Sequence, residues 1–441
     1  MFKLRILYFY LQTRFLRRWR DRASLEAWQE RKIRRFVEWA RRNSPFYRGQ
    51  LADSSARDWR RLPILDKRIM MENFSALNTV GIDRDRALAL ALESERSRDF
   101  TPTLNGVTVG LSSGTSGNRG LFLVSDSERA RHAGTILGKI LPNSILSKNR
   151  VAFFMRANSN LYTASRSSRL KFEFFDLLAP IESHLKRLQG FRPTLLFAPP
   201  SMLIRLAEAQ ASAKITIRPI RIFSIAETLD PLDQKKIESA FDQKVHQVYQ
   251  CTEGFLGATC AEGTIHLNED CVHIEPEWLD ESRTKFMPII TDFSRTSQPI
   301  LRYRLNDILT VRPTPCPCGS SFLALEAIEG RADDMIDFVD SKNQTVAVFP
   351  DFIRRAIISA SDWLEEYLVR QSVPGKLQIS LQCRKSAPPQ ARAEIGKHVE
   401  NELLSLARLL HAQPLEIEWS DEFPPLAGKK LRRIVRMTEL S

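Results

Sequence analysis

Apolar residues at the start of the chain recur at helical spacing. Over residues 2–22, Leu4, Leu7, Tyr8, Leu11, Phe15 and Trp19 fall near one face, which predicts an amphipathic helix. A second helical pattern, Leu25–Arg42, carries Trp28, Ile33, Phe36 and Trp39, and Asn43-Ser44-Pro45-Phe46-Tyr47 stops it. Leu62-Pro63-Ile64-Leu65-Asp66-Lys67 is a punctuated turn that opens a short helix through Phe74. Valines at alternate positions mark Asn105–Leu111 as a strand, and Leu121–Ser125 reads as another.

From about residue 195 the pattern becomes regular. Thr194–Ala198 is an apolar strand, Ser201–Ala213 a helix, Ile220–Ile225 a strand, Pro231–Phe241 a helix and Val245–Tyr249 a strand. This βαβαβ order predicts parallel strands with helices on the sheet faces. It sets Ala226-Glu227-Thr228 and Tyr249-Gln250-Cys251-Thr252-Glu253-Gly254 at strand carboxyl ends, where such sheets bind ligands. Beyond Arg331 the elements are shorter: helix Asp351–Ile358, strand Leu377–Leu381 and helix Gln390–Leu410. The expected fold class is α/β, with a large N-terminal domain of parallel βαβ sheets and a small α+β C-terminal domain. The expected boundaries are a basic helical arm over residues 1–60, a large domain over 61–331 and a small domain over 332–441.

Charge changes the picture only for the arm. The 441 residues carry a net charge of +13, and residues 1–50 hold 14 Lys/Arg against 4 Asp/Glu, so +10 of it lies there. The apolar faces of the arm are expected to pack on the body while the arginines stay solvated; the alternative is contact with anionic lipid or a partner. Nucleic acid is not expected, since no recognised binding module accompanies the charge. No run of about 18 apolar residues predicts a membrane span, and Met1–Tyr10 does not read as a secretion signal. Of the six cysteines, Cys316-Pro317-Cys318 is too close-set for an ordinary disulfide framework. A reduced, cytoplasmic compartment with a metal site follows, peripheral at the inner membrane face if the arm binds lipid.

The candidate chemistry begins at Gly110–Gly120, where four glycines and four hydroxyl residues share eleven positions. Such a loop turns sharply and exposes N–H groups to phosphate oxygens. It joins strand to strand, which argues against a Walker A loop, and by itself it is equally a polar hairpin.

Taken in order, Asn43–Tyr47, this loop, Ser224–Glu227, Tyr249–Glu253, Arg302–Asp307, Gly330–Met335 and Gly428-Lys429 resemble the adenylate-forming superfamily. Within it the chain looks like phenylacetate–CoA ligases and their relatives, which include enzymes that adenylylate a deazaflavin coenzyme. The resemblance spans nearly the whole chain. It implies that Ser112, Ser113, Gly114, Thr115, Ser116 and Gly117 hold the β- and γ-phosphates of ATP, and that Ala226 and Glu227 line the adenine pocket. Tyr249 would stack on adenine, Thr252 would lie near the α-phosphate, and Glu253 would ligate Mg²⁺. Asp307 would take the ribose hydroxyls, Arg331 would lie near ribose and phosphate, Asp333 would be the hinge of a mobile lid, and Lys429 would be the catalytic lysine. The implied reaction is activation of a carboxylic acid, aromatic acids included, to an acyl-adenylate, then transfer to a thiol of CoA or a carrier protein. Transfer of AMP to a hydroxyl acceptor and a non-catalytic, membrane-associated ATP-binding scaffold are the alternatives. The sequence departs from the family where Asn118-Arg119-Gly120 follows the loop, with Arg119 as a substitute cation, and where Gln250-Cys251 follows Tyr249.

Spacing adds a metal. Cys316 and Cys318 flank one tight turn, and zinc needs four ligands, usually thiolate or imidazole. Two upstream pairs compete for the remaining positions: Cys260 with His266, and Cys271 with His273. Cys260 and His266 are chosen because Gly263 supplies a turn between them and because a similar pair stands at this place in some relatives. The site would be structural, with all four positions filled by protein.

Overall fold

The computed structural model describes residues 1–51, 56–112, 119–155, 169–423 and 432–437. It divides into two compact units. The larger comprises Met1–Leu229, Asp233–Leu305 and Thr310–Ala327; the smaller comprises Asp230–Leu232, Asn306–Leu309 and Ile328–Ser441.

The larger unit begins with two helices. α1 (Phe2–Leu11) runs into a π-helical turn, Gln12–Leu16, and stops at Arg17, short of the single helix expected to residue 22. α2 (Arg22–Asn43) starts three residues earlier than expected, because Asp21 accepts from the Ser24 amide at 2.8 Å in a reciprocal capping box. Ser44 then caps the helix Pro45–Gln50. The Tyr47 hydroxyl, fully buried, donates to Pro299 O (3.1 Å) and accepts from Leu301 N (3.3 Å).

A three-stranded antiparallel sheet follows, β1 (Thr103–Leu104), β2 (Val107–Leu111) and β3 (Leu121–Val124). The strand expected from Asn105 is instead a hairpin. Asn105 (φ +50°) and Gly106 (φ +73°) are both left-handed, the backbone a two-residue type I′ turn requires. The glycine-rich loop leaves the end of β2 and re-enters at β3, with Leu111 paired to Leu121.

The βαβ run is present. β4 (Asn149–Met155), β5 (Leu170–Asp176), β6 (Leu195–Ala198), β7 (Arg221–Ser224) and β8 (Val245–Cys251) are parallel, in spatial order β5-β4-β6-β7-β8. Helices Pro200–Ala211 and Pro231–Phe241 provide two of the crossovers. β9 (Gly254–Thr259) turns back antiparallel to β8, and β10 (Ile265–Leu267) continues antiparallel to β9. β11 (Val272–Trp278), β12 (Lys285–Asp292), β13 (Ile300–Arg304), β14 (Asp307–Val311) and β15 (Ala324–Arg331) complete a twelve-stranded mixed sheet. The buried run Leu195, Leu196, Phe197 and Ala198 shows why a central parallel strand reads as uninterrupted apolar sequence.

The smaller unit carries the hairpin β16 (Ile336–Val339) with β17 (Thr345–Val348), and a four-stranded sheet of β18 (Leu364–Val373), β19 (Lys376–Cys383), β20 (Glu416–Ser420) and β21 (Ile434–Arg436), ordered β20-β19-β18-β21. Helices Pro350–Ile358 and Ala391–Leu409 bury Ile353, Ile357, Ile395, Val399 and Leu403 against Tyr367, Val369, Leu377 and Ile379. Each of these side chains contributes about 1.5–3 kcal/mol by leaving water. Asp230 is buried in the same unit, where it accepts from the Tyr367 hydroxyl at 2.8 Å and faces Arg354 at 3.5 Å.

Candidate functional site

The carboxyl end of β8 carries three of the expected site residues, Tyr249, Thr252 and Glu253. Tyr249 is the last residue before a β-bulge, buried, and paired with Gly257 of β9. Thr252 and Glu253 form the turn between β8 and β9. The Thr252 hydroxyl donates to Glu253 Oε2 at 2.8 Å, and the Tyr303 hydroxyl of β13 donates to Glu253 Oε1 at 3.1 Å. Burial, and then the Glu253 carboxylate, push the Tyr303 phenol far up, so it stays a donor. Arg295 donates to Thr252 O and, at 3.0 Å, to Leu123 O, tying the turn to β3. A Cβ at Gly254 would stand 2.8 Å from Asp292 Oδ2, so a side chain there would displace that carboxylate. Burial raises the pKa of Asp292, whose other oxygen accepts from the Ser294 amide and hydroxyl at 2.8 and 2.6 Å. Tyr303, Arg295 and Asp292 are absent from the sequence-derived site.

Beyond β7, Ala226 sits at φ +65°, a left-handed conformation unusual for a residue with a Cβ. Glu227 accepts from the Ser201 amide at 3.2 Å, at the start of helix Pro200–Ala211. The acid therefore does the work of a helix-capping carboxylate at the sheet's carboxyl edge.

Of the phosphate-loop residues, Ser112 is described and residues 113–117 lie outside the described set, as does Lys429. Ser112 closes the neck of the loop: its amide donates to Gly120 O and its hydroxyl accepts from Gly120 N, both at 2.7 Å. Arg119 is engaged elsewhere. Its guanidinium pairs with both oxygens of Glu95 and donates to Ser112 O at 3.1 Å, so it braces the neck and is not a spare cation. Lys67 lies against the same neck: a Cβ at Gly120 would be 3.1 Å from Lys67 Cε.

In the smaller unit, Asp307 and Arg331 face each other at 3.9 Å. Asp333 lies in the 3₁₀ turn Ala332–Asp334 and accepts from the Asn306 amide group at 2.7 Å, while Ala332 N donates to Asn306 O at 2.7 Å. The segment Asn306-Asp307 is thus bound to the segment 331–333.

The four chosen metal ligands converge. One donor atom each from Cys260, His266, Cys316 and Cys318 lies within 4.8 Å of all the others. Cys260 Sγ is 3.8 Å from Cys316 Sγ, and Cys318 Sγ is 3.3 Å from His266 Nε2. Gly263 (φ +88°) makes the turn that returns the chain from Cys260 to His266, and Gly319 (φ +70°) closes the Cys-Pro-Cys turn. His266 Nδ1 contacts Phe322 O at 3.1 Å, which leaves Nε2 facing the cysteine sulfurs, as a zinc-ligating imidazole requires. The donor set therefore fits zinc. The rival pair does not join it: Cys271 is buried, and His273 bonds to Gln29 at 3.1 Å and packs edge-on to Trp59.

No family model matches the chain. Phenylacetate–coenzyme A ligase of Thermus thermophilus is 23% identical over 249 residues, 52% of this chain and 54% of that protein. Protein CapK of Staphylococcus aureus is 24% identical over 197 residues, 44% of this chain and 43% of that protein. The chain thus spans about half the length of the curated relatives it matches. Among solved structures, 2-hydroxyisobutyryl-CoA ligase in complex with its acyl-AMP superposes with a TM-score of 0.68 at 18% identity, over 93% of this chain and 89% of that one. The chain has the fold of the adenylate-forming ligases. A benzoate–CoA ligase from Burkholderia xenovorans gives a TM-score of 0.51 at 16% identity, over 76% and 69% of the two chains.

Proposed function

We propose that the protein activates a carboxylic acid with ATP to an acyl-adenylate and passes the acyl group to a thiol, that of CoA or of a carrier protein. The observation that carries this reading is the oriented carboxylate of Glu253. Two hydroxyl donors hold it at the carboxyl end of a parallel strand, two residues from the end of the Tyr249 strand segment. Both carboxylate oxygens keep a lone-pair direction beyond the bonds they already accept, so the group fits a magnesium ion. Magnesium, bound with the nucleotide, supplies positive charge against the repulsion between two anions.

The remaining roles follow from the chain's own groups. Ser112 and residues 113–117 bind the terminal phosphates. Ala226, Glu227 and Tyr249 bound the adenine, and Thr252 lies by the α-phosphate. Asp307 accepts from the ribose hydroxyls, and Arg331 beside it helps aim it. Lys429 donates to the oxygens on which charge builds as the acid's oxygen bonds to the α-phosphorus and the electron pair of the broken bond leaves with pyrophosphate. Asp333 is the pivot that changes the smaller unit's position between adenylation and thiol transfer. A zinc ion on Cys260, His266, Cys316 and Cys318 holds β9, β10 and the Cys-Pro-Cys turn together. The free thiols fit a reduced, cytoplasmic setting.

Isotope exchange between ATP and pyrophosphate, run over a panel of aliphatic and aromatic acids, tests the reading. Exchange that depends on one class of acid and on magnesium is expected. Absence of exchange with every acid, or AMP transfer to a hydroxyl compound without any acid, would overturn it.

A further inference from the structure

The arm holds a surface that the reaction does not use. α1 grips the body by Ile6 and Tyr10, both buried, which pack on helix Asp126–Ile140. Gly134 and Gly138 of that helix permit the contact: a Cβ at Gly134 would lie 2.5 Å from Ile6 O, and one at Gly138 would lie 2.9 Å from Thr13 Cβ. The Tyr10 hydroxyl accepts from Ile145 N at 3.1 Å. The helix is therefore fixed in rotation, and its other side is a deliberate surface.

That side is apolar. Met1, Leu4, Tyr8, Leu11 and Phe15 recur at three- and four-residue steps and are 98, 70, 57, 43 and 56% exposed, with Leu7 and Leu16 beside them. Leu146, next to Ile145, adds a further exposed side chain. Of the apolar face expected from the sequence to pack on the body, the structure turns Leu4, Leu7, Tyr8, Leu11 and Phe15 to solvent. Single exposed leucines are ordinary, but a continuous stripe marks an interaction face. A cavity of about 540 Å³ opens along it, walled by Leu4, Arg5, Tyr8 and Phe9 on one side and Arg131 and Thr296 on the other.

Charge selects the occupant. Residues 1–20 contain six Lys/Arg and no Asp/Glu. Lys3, Arg5, Arg18 and Arg20 are exposed around the stripe. A second copy of the chain would bring like charges together, whereas an anionic bilayer complements both the apolar side chains and the cations. The helix has ten residues, and no described helix is long and apolar enough to cross a membrane, so the geometry is that of a helix lying in the interface. We infer that α1 and the turn after it dock the protein on an anionic lipid surface, with Leu4, Leu11 and Phe15 inserted among the acyl chains and the cavity open to an acyl chain.

Co-sedimentation of the full-length protein with phosphatidylcholine vesicles, with and without about 30% phosphatidylglycerol, tests this. Binding to the anionic vesicles is expected to exceed binding to neutral ones about tenfold, and to fall about tenfold as NaCl rises from about 0.05 M to about 0.5 M. The triple variant Leu4→Glu, Leu11→Glu, Phe15→Glu alters only exposed side chains. It should keep the wild-type melting temperature and acid-dependent exchange while losing vesicle binding. Equal binding by the variant, or none by the wild type, overturns the inference. So does a wild-type dimer in solution that the triple variant converts to monomer, since the stripe would then be a contact between copies.

Discussion

Glu253 illustrates what a single residue needs from its neighbours. A carboxylate on a turn samples several rotamers, and the two hydroxyl donors select one. Tyr303→Phe removes one donor while filling the same volume. A hydrogen bond to a charged group contributes about 1.5–3 kcal/mol, so we expect the magnesium concentration that supports half-maximal exchange to rise roughly tenfold, with the melting temperature little changed. Unchanged magnesium dependence would show that Thr252 alone orients the acid. For the lysine, removing one charged transition-state donor costs about two to three orders of magnitude. Lys429→Ala should therefore cut exchange by that factor and Lys430→Ala should not; the reverse pattern would reassign the role. Glu253 was legible in the sequence because it sits in a compact motif with Tyr249 and Thr252. Tyr303 was not, because its partner is 50 residues away and only the pairing of distant strands brings them together. Arg119 failed in the opposite direction: its charge was visible, but Glu95, which occupies it, was not.

At the level of elements, period and punctuation located the βαβ core well, because buried parallel strands are continuous apolar runs bounded by turns. The arm was located but its faces were reversed. All of its sides are apolar at some position, so periodicity alone could not tell the gripping side from the free one; the glycines of the facing helix decide it. The Asn105-Gly106 hairpin was hidden by valine alternation that extends past the turn. Two predictions belong here. A structural zinc contributes on the order of 10 kcal/mol of apparent folding free energy, so purified protein should carry about one zinc per chain. Cys316→Ser should lose zinc and solubility without a selective loss of nucleotide affinity in the folded fraction, and fully stable metal-free protein would refute the site. The second concerns the clasp beneath the arm. Buried Asp270 pairs with Arg17 at 3.4 Å and Lys139 at 2.9 Å. Burial works against its charge, but Lys139 and Arg17 outweigh it and hold the carboxyl below its ordinary value of 3.8. A depressed folded pKa means the stabilisation is present above about pH 4 and is lost as pH falls through the lower folded value. Asp270→Asn should thus destabilise by on the order of 2 kcal/mol at neutral pH, less than for a fully buried pair because Arg17 and Lys139 keep some exposure. The gap from wild type should shrink in acid, measured by urea midpoints across pH; a constant gap would assign the loss to packing.

For the whole molecule, the proposed reaction sets the question. If Lys429 must reach the α-phosphate for adenylation and leave it for a thiol to enter, one fixed arrangement cannot serve both half-reactions. Asp333 is suited to the pivot. It stands in a 3₁₀ turn directly after β15, and its carboxylate accepts from Asn306, so it ties two of the three segments of the smaller unit to each other. Proline is tolerated in the first turn of a helix but fixes φ near −65°, so Asp333→Pro should leave the turn folded and deny it a second conformation. We expect ATP–pyrophosphate exchange to stay within about threefold of wild type while thioester formation falls about a hundredfold, the split produced when a conformational step is blocked and chemistry is not. Asp333→Ala, which loses the bond to Asn306 but keeps backbone freedom, should affect the two half-reactions by similar small factors. If Asp333→Pro depresses both equally, the turn is a structural element and the pivot lies elsewhere; if it depresses neither, acyl transfer proceeds from the arrangement that makes the adenylate.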